Sequence, residues 1–200
     1  LNSRRSGLPV NDGYTPLQTS APNARIDLLN RVKVETGIWD SEPFDAPVFL
    51  LAKEYFRTAR PRVFYLALGE TDEWAHSGRY DLYLNAANRV DRYVEELWNL
   101  AQSMDQYRDK TTLILGVDHG RGAKGADWRG HGQKIPESKY VWMGMMGPDT
   151  PALGERANVQ PVTQNQVAAT LAALLGEDYH GAFPKTGGPI AEVIKPTAAK

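Results

Sequence analysis

Residues 62–76 read RVFYLALGETDEWAH, and the fold assigned to the chain turns on them. Val63–Leu68 is an unbroken apolar run of the kind buried on both faces of a parallel sheet. It breaks at Gly69 into Glu70, Thr71, Asp72 and Glu73 and ends at His76. Read as a strand, it delivers a carboxylate and an imidazole, four residues apart, to the edge of a sheet.

Outward from this stretch the helical signals are firm. Residues 25–36 fit a short helix. Residues 45–59 fit a longer one, with Asp45 placed to act as N-cap, Pro47 tolerated in the first turn and Pro61 just past the end. Across residues 79–103, Leu82, Ala86, Val90, Tyr93, Leu97 and Leu100 recur at spacings of three and four, with Arg89, Asp91, Arg92 and Glu95 between them. Two further apolar runs, Thr112–Val117 and Tyr140–Met146, read as strands. The first ends in Asp118-His119-Gly120 and the second at Gly147-Pro148. A last helix fits residues 163–175, where Thr163 and Gln166 suit a capping box and Gly176 the C′ position. Strand, long helix, strand, loop, strand and helix predict an α/β domain with a largely parallel central sheet flanked by helices. In such sheets ligands bind beyond the carboxyl ends of the strands. The division expected is a loop-rich and helical lead-in over 1–60, a metal-binding α/β core over 61–183 and a tail over 184–200.

Composition narrows the functional classes. Two hundred residues suit one domain with a sizeable core. A net charge of −1 with acid and base interspersed gives no reason to expect nucleic acid or an anionic membrane as partner. No apolar stretch approaches the roughly 18 residues of a membrane span. The absence of cysteine excludes disulfides, thiolate metal sites and a cysteine nucleophile among these residues.

Three of the four histidines gather where chemistry is expected. His76 and His119 each follow an apolar run and each has an aspartate nearby, Asp72 and Asp118. His131 lies in the loop DWRGHGQ. Neutral imidazole and carboxylate together suit Zn²⁺, and mixed nitrogen and oxygen sets also suit Mn²⁺ or Fe²⁺. Taken singly, each has a plainer reading. Asp72 fits a helix N-cap, His76 a surface histidine, Asp118-His119-Gly120 a turn and His131 a loop residue. It is their co-occurrence that favours a site. His180, in EDYHGAF, reads as a surface or packing residue.

GETDEWAH, VDHGRG and WRGHG resemble the metal-binding segments of the alkaline phosphatase superfamily. Within it they are most similar to the phosphoglyceromutase and type I phosphodiesterase/nucleotide pyrophosphatase-like branch. RVFYLALGETDEWAHSGRYDLYLNAANRVDRYVEELW resembles the strand, D-x-x-x-H and long helix of these enzymes. QNQVAATLAALLG resembles their late helix, so the resemblance runs from about Pro61 to Gly176. It implies an alkaline phosphatase-like fold and a two-metal site, with Zn²⁺ or Mn²⁺ as the ions. Asp72, His76 and His131 would hold one ion, and Asp118 and His119 the second.

The reaction implied is hydrolysis of a phosphate mono- or diester, a small-molecule substrate, through a covalent phospho-enzyme. The family takes one further aspartate from its first strand and a Ser or Thr nucleophile from a helix N-terminus, both well upstream of these motifs. Asp12, Thr15, Thr19 and Ser20 match no such pattern, and RSGLPVNDGY resembles a segment that follows the nucleophile. The chain is therefore expected to be the C-terminal portion of a longer enzyme, lacking its N-terminal strands and inactive alone. The missing N-terminal half is then its expected partner, and without it a strand edge and apolar surface would be exposed.

Arg121 could steady an anionic oxygen bidentately or pair with Asp127 or Glu137. Lys124 and Arg129 could attract an anionic substrate. Trp74 and Trp128 could wall the pocket or simply pack, and Glu70 and Glu73 could orient ligand histidines. A phosphomutase, or a non-catalytic metal-binding scaffold, is the alternative; sulfatase chemistry, with one Ca²⁺, fits the two imidazole-bearing half-sites less well. Family habit points to an extracytoplasmic setting, with no targeting segment present to show it.

Overall fold

The computed structural model describes residues 11, 13–19, 21–40, 42–157 and 159–196. Asp12, Ser20 and most of RSGLPVNDGY lie outside the described residues. The chain forms two compact units. One is built from Leu1–Asn99 and Lys124–Gly130, the other from Leu100–Ala123 and His131–Lys200.

The first unit is helical. α1 spans Ala24–Glu35 and starts where the Asn23 side chain accepts the backbone N–H groups of Arg25 and Ile26. α2 spans Asp45–Ala59 and ends where Arg60 takes a left-handed backbone, φ 50°. The two helices pack together. α3 is the short helix Glu70–His76, and α4 runs over Tyr80–Ser103, ending in the second unit. Ile26, Phe49, Leu51, Phe56, Ala75 and Ala86 make the core of this unit. Phe49 stacks on Tyr93 of α4, with ring centroids 4.0 Å apart and planes 14° from parallel.

The second unit holds the only sheet among the described residues, two short strands, β1 (Leu113–Gly116) and β2 (Met143–Met146). They pair antiparallel, Leu113 opposite Met146 and Gly116 opposite Met143. A 3₁₀ turn at Gln164–Gln166 leads into α5, Val167–Leu174, and α6 spans Tyr179–Ala182. The Gln166 side chain accepts the Thr163 N–H at 2.9 Å, the reciprocal half of the expected capping box. Gly176 follows α5 at φ 84°. Thr170 is buried and takes the Ile190 N–H on its hydroxyl at 3.0 Å, tying the later chain to α5. Among the described residues no helix is long and apolar enough to cross a membrane.

This overturns the expected α/β fold with a largely parallel central sheet, and with it the alkaline phosphatase-like architecture. Two observations carry the correction. Parallel pairing needs a crossover, usually a helix. Between β1 and β2 lie only single-turn 3₁₀ stretches, Gly125–Arg129 and Pro136–Lys139, and the two strands pair antiparallel. Second, Val63–Leu68 is not a strand. Phe64, Leu66 and Leu68 are half-buried, whereas Val63, Tyr65 and Ala67 are exposed, and no neighbour among the described residues completes a ladder. The apolar run buries one face only. Among the described residues no parallel strand ends gather a site.

Candidate metal centre

Asp72 and His76 sit on α3, one turn apart, which puts both on one helical face. The N-cap of α3 is Gly69, so Asp72 lies in the first turn and is not the cap. His76 Nε2 is 3.3 Å from Asp72 Oδ2, and both side chains are partly exposed, 43 % and 34 %. Donor atoms bound to one tetrahedral ion at about 2 Å are roughly 3.3 Å apart, so this pair has the spacing of two ligands. An imidazolium–carboxylate pair gives the same distance, and metal titration separates the two.

α3 is held from its N-terminal end. Asp45 Oδ1 accepts the N–H groups of Gly69 at 2.8 Å and Glu70 at 3.2 Å. In return Glu70 Oε1 accepts the N–H of Asp45 at 2.8 Å. Each helix thus supplies the carboxylate that satisfies the other's first N–H groups. Glu70 Oε2 also takes the Trp74 indole N–H at 3.2 Å and an ion pair from Arg89 of α4. The hydrogen bonds of Glu70 therefore go to Asp45, Trp74 and Arg89. Asp45 is the first residue of its own helix; its N-cap is Phe44, with no side-chain capping bond.

Asp45 and Glu70 are 1 % and 2 % exposed. Asp45 Oδ2 is buried without a hydrogen-bond partner among the described residues. Burial, with the Glu70 carboxylate adding to it, pushes the Asp45 carboxyl up to about 6, against backbone hydrogen bonds that pull it down. Since the folded state holds this proton more tightly than the unfolded chain, ionisation favours unfolding. Stability from Asp45 is greatest below pH 4 and falls as pH rises from about 4 to 6, by about 3 kcal/mol at 1.36 kcal/mol per pKa unit. Urea unfolding across pH 4–8 checks this. The stability of Asp45→Asn relative to the wild type should rise over that window and be level above it. A flat difference would mean that Asp45 stays ionised in the fold.

The Lys124–Gly130 segment packs its 3₁₀ turn on α3 within the first unit. The Arg129 guanidinium lies over Gly78, where φ is 69° and a Cβ would come within 2.7 Å of Arg129 Cζ. Trp128 meets Tyr80 and Tyr83 edge to face, with centroids 5.3 and 6.2 Å apart. Trp74 packs edge-on against Trp39 at 4.6 Å. Both tryptophans thus engage other aromatic rings.

In the second unit, Asp118 is exposed and its Oδ2 is 3.7 Å from His119 Nε2, while His119 Nδ1 is 3.0 Å from the Gly120 carbonyl oxygen. The imidazoles of His119 and His131 stack, centroids 3.7 Å apart and planes 11° from parallel. Buried Ser138 accounts for this. Its carbonyl accepts the Gly120 N–H at 2.8 Å and its hydroxyl the Gly132 N–H at 2.9 Å, clamping the residue after each histidine. A Cβ on Gly120 would lie 2.4 Å from the Tyr140 carbonyl oxygen. Gly120→Ala is therefore expected to lower stability by about 1–3 kcal/mol and to separate the rings. The ring-current shifts of the His119 and His131 protons report the second effect. Arg121 is half-buried in the same loop, and its burial lowers the guanidinium pKa.

Imidazole lone pairs lie in the ring plane. Two stacked rings therefore aim them within two nearly parallel planes, which do not meet at one ion. Ser138, Asp45 and Arg89 were not among the expected site residues; a Ser138 carbonyl that reaches back 18 residues to the Gly120 N–H leaves no local signal.

Comparison with protein-family models, with curated proteins and with solved structures finds no match to this chain.

Proposed function

We propose that the chain carries metal-ligating residues of a hydrolase acting on phosphate mono- or diesters, with Zn²⁺ or Mn²⁺ as the ions. The observation that carries this reading is the Asp72–His76 pair, an imidazole and a carboxylate at ligand spacing on a helix whose N-terminus is clamped. The likeness of GETDEWAH, VDHGRG and WRGHG to alkaline phosphatase superfamily segments supports it, independently of the fold. On this reading Asp72 and His76 serve one ion, and Asp118 and His119 serve a second.

Divalent ions supply positive charge that polarises a phosphoryl oxygen and stabilises a leaving oxygen. The residues of the chain do the rest. Asp72 and Asp118 provide anionic oxygen donors and the histidines neutral nitrogen donors. Arg121, charged despite its partial burial, steadies an anionic phosphoryl oxygen. Lys124 and Arg129 raise the local concentration of an anionic substrate. The nucleophile is assigned to none of the residues of this chain.

Elemental analysis of the purified chain after Zn²⁺ or Mn²⁺ loading tests the metal half of the proposal. Release of p-nitrophenol from p-nitrophenyl phosphate and its bis-ester tests the reaction. Metal at about one ion per chain or more, lost on Asp72→Ala, is the expected result. A folded chain that takes up neither ion sinks the reading.

A further inference from the structure

We propose that Asp45 and Glu70 are positioning residues for the Asp72–His76 pair, acting as a reciprocal cap that locks α3 onto α2 and fixes where its two donor side chains point. The proposal deepens the metal reading above and rests on it for its functional meaning.

The geometry is specific. α3 is only seven residues long, and isolated helices of that length do not persist in water. Its first N–H groups, Gly69 and Glu70, have one acceptor between them, the buried Asp45 Oδ1. The return bond from the Asp45 N–H to Glu70 Oε1 crosses the same junction, so the two helix starts cannot slide without breaking three hydrogen bonds. Arg89 and Trp74 hold the far oxygen of Glu70. Asp72 and His76 lie two and six residues further along this clamped helix. Groups that orient a ligand typically change metal affinity by roughly 10–100-fold when removed. A Lys or Ala at position 45 would leave the Gly69 and Glu70 N–H groups without that acceptor, whereas Asn keeps a carbonyl oxygen in the same place.

The test is Zn²⁺ titration by calorimetry on wild type, Asp45→Ala and Asp45→Asn, with folding checked by circular dichroism. Asp45→Ala should bind Zn²⁺ at least about tenfold more weakly, while Asp45→Asn stays within about threefold of wild type. A core variant of matched stability loss, Phe56→Leu, should leave affinity unchanged, which a general loosening of the fold would not. Wild-type affinity in a folded Asp45→Ala overturns the proposal. If Asp45→Ala fails to fold, a tenfold loss in folded Asp45→Asn overturns it instead. Should the wild type take up no Zn²⁺, the metal reading fails by itself, and amide exchange decides the cap. Gly69 and Glu70 amides should exchange at least tenfold faster in Asp45→Ala than in wild type or Asp45→Asn, and equal rates in all three overturn it.

Discussion

Glu70→Ala should lower stability by about 3–5 kcal/mol, the usual consequence of removing one partner from a buried ion pair. Three losses combine. The Asp45 N–H at the start of α2 and the Trp74 indole N–H both lose their acceptor. The Arg89 guanidinium, whose side chain is 30 % exposed, loses its carboxylate. Solvent reaches Arg89 in part, which holds the effect toward the lower end. A gain runs the other way, because removing the Glu70 charge relieves the repulsion that helps raise the Asp45 carboxyl. Glu70→Gln separates the terms. It keeps an amide oxygen for the Asp45 N–H and gives up the charge, so about half of the loss should return. Urea unfolding followed by far-ultraviolet circular dichroism measures all three proteins. A Glu70→Ala midpoint within 1 kcal/mol of wild type would mean that the cluster is not a structural keystone, since surface changes alone fall within about 0.5 kcal/mol.

What the sequence makes legible is what its local chemistry determines. The α2 span, Asp45–Ala59, and the long α4, Tyr80–Ser103, follow from helical period and end signals carried within a few residues. The capping box at Thr163 and the left-handed Gly176 are local in the same sense. Val63–Leu68 is different, because an apolar run reports that a segment avoids water and says nothing of which strand pairs with it. Here none of the described residues does, and alternate side chains face solvent. The direction of β1 against β2 is equally non-local, fixed by how the intervening chain returns. Asp45 shows the same limit at one residue. Its position suggests a cap for its own helix, yet its carboxylate caps a helix that begins 25 residues later. Spacing alone puts Asp72 and His76 on one face, whether that face is a strand end or a helix. The clamp formed by Ser138 has no such periodic signature.

Asp72→Ala and His76→Ala should each weaken Zn²⁺ binding by roughly 100- to 1000-fold. Structural Zn²⁺ sites are worth about 10–16 kcal/mol over four ligands, so one ligand accounts for about 2.5–4 kcal/mol. That exceeds the effect expected at Asp45, and the ordering of the three variants is itself a test. A residue that binds the ion must matter more than one that holds the helix. The same substitutions should leave stability in the absence of metal within about 1 kcal/mol, because exposed ion pairs contribute little. Both side chains are partly exposed, 34 % for Asp72 and 43 % for His76. Zn²⁺ added to the wild type should raise its unfolding midpoint, and added to either variant should raise it less, by the linkage between ligand binding and folding. If the variants instead lose stability without metal and the wild type gains none with it, the 3.3 Å contact is an imidazolium–carboxylate pair that staples α3. Metal-dependent hydrolysis would then lose its structural support, and the reciprocal cap of Asp45 and Glu70 would stand as a device for holding a short helix in place.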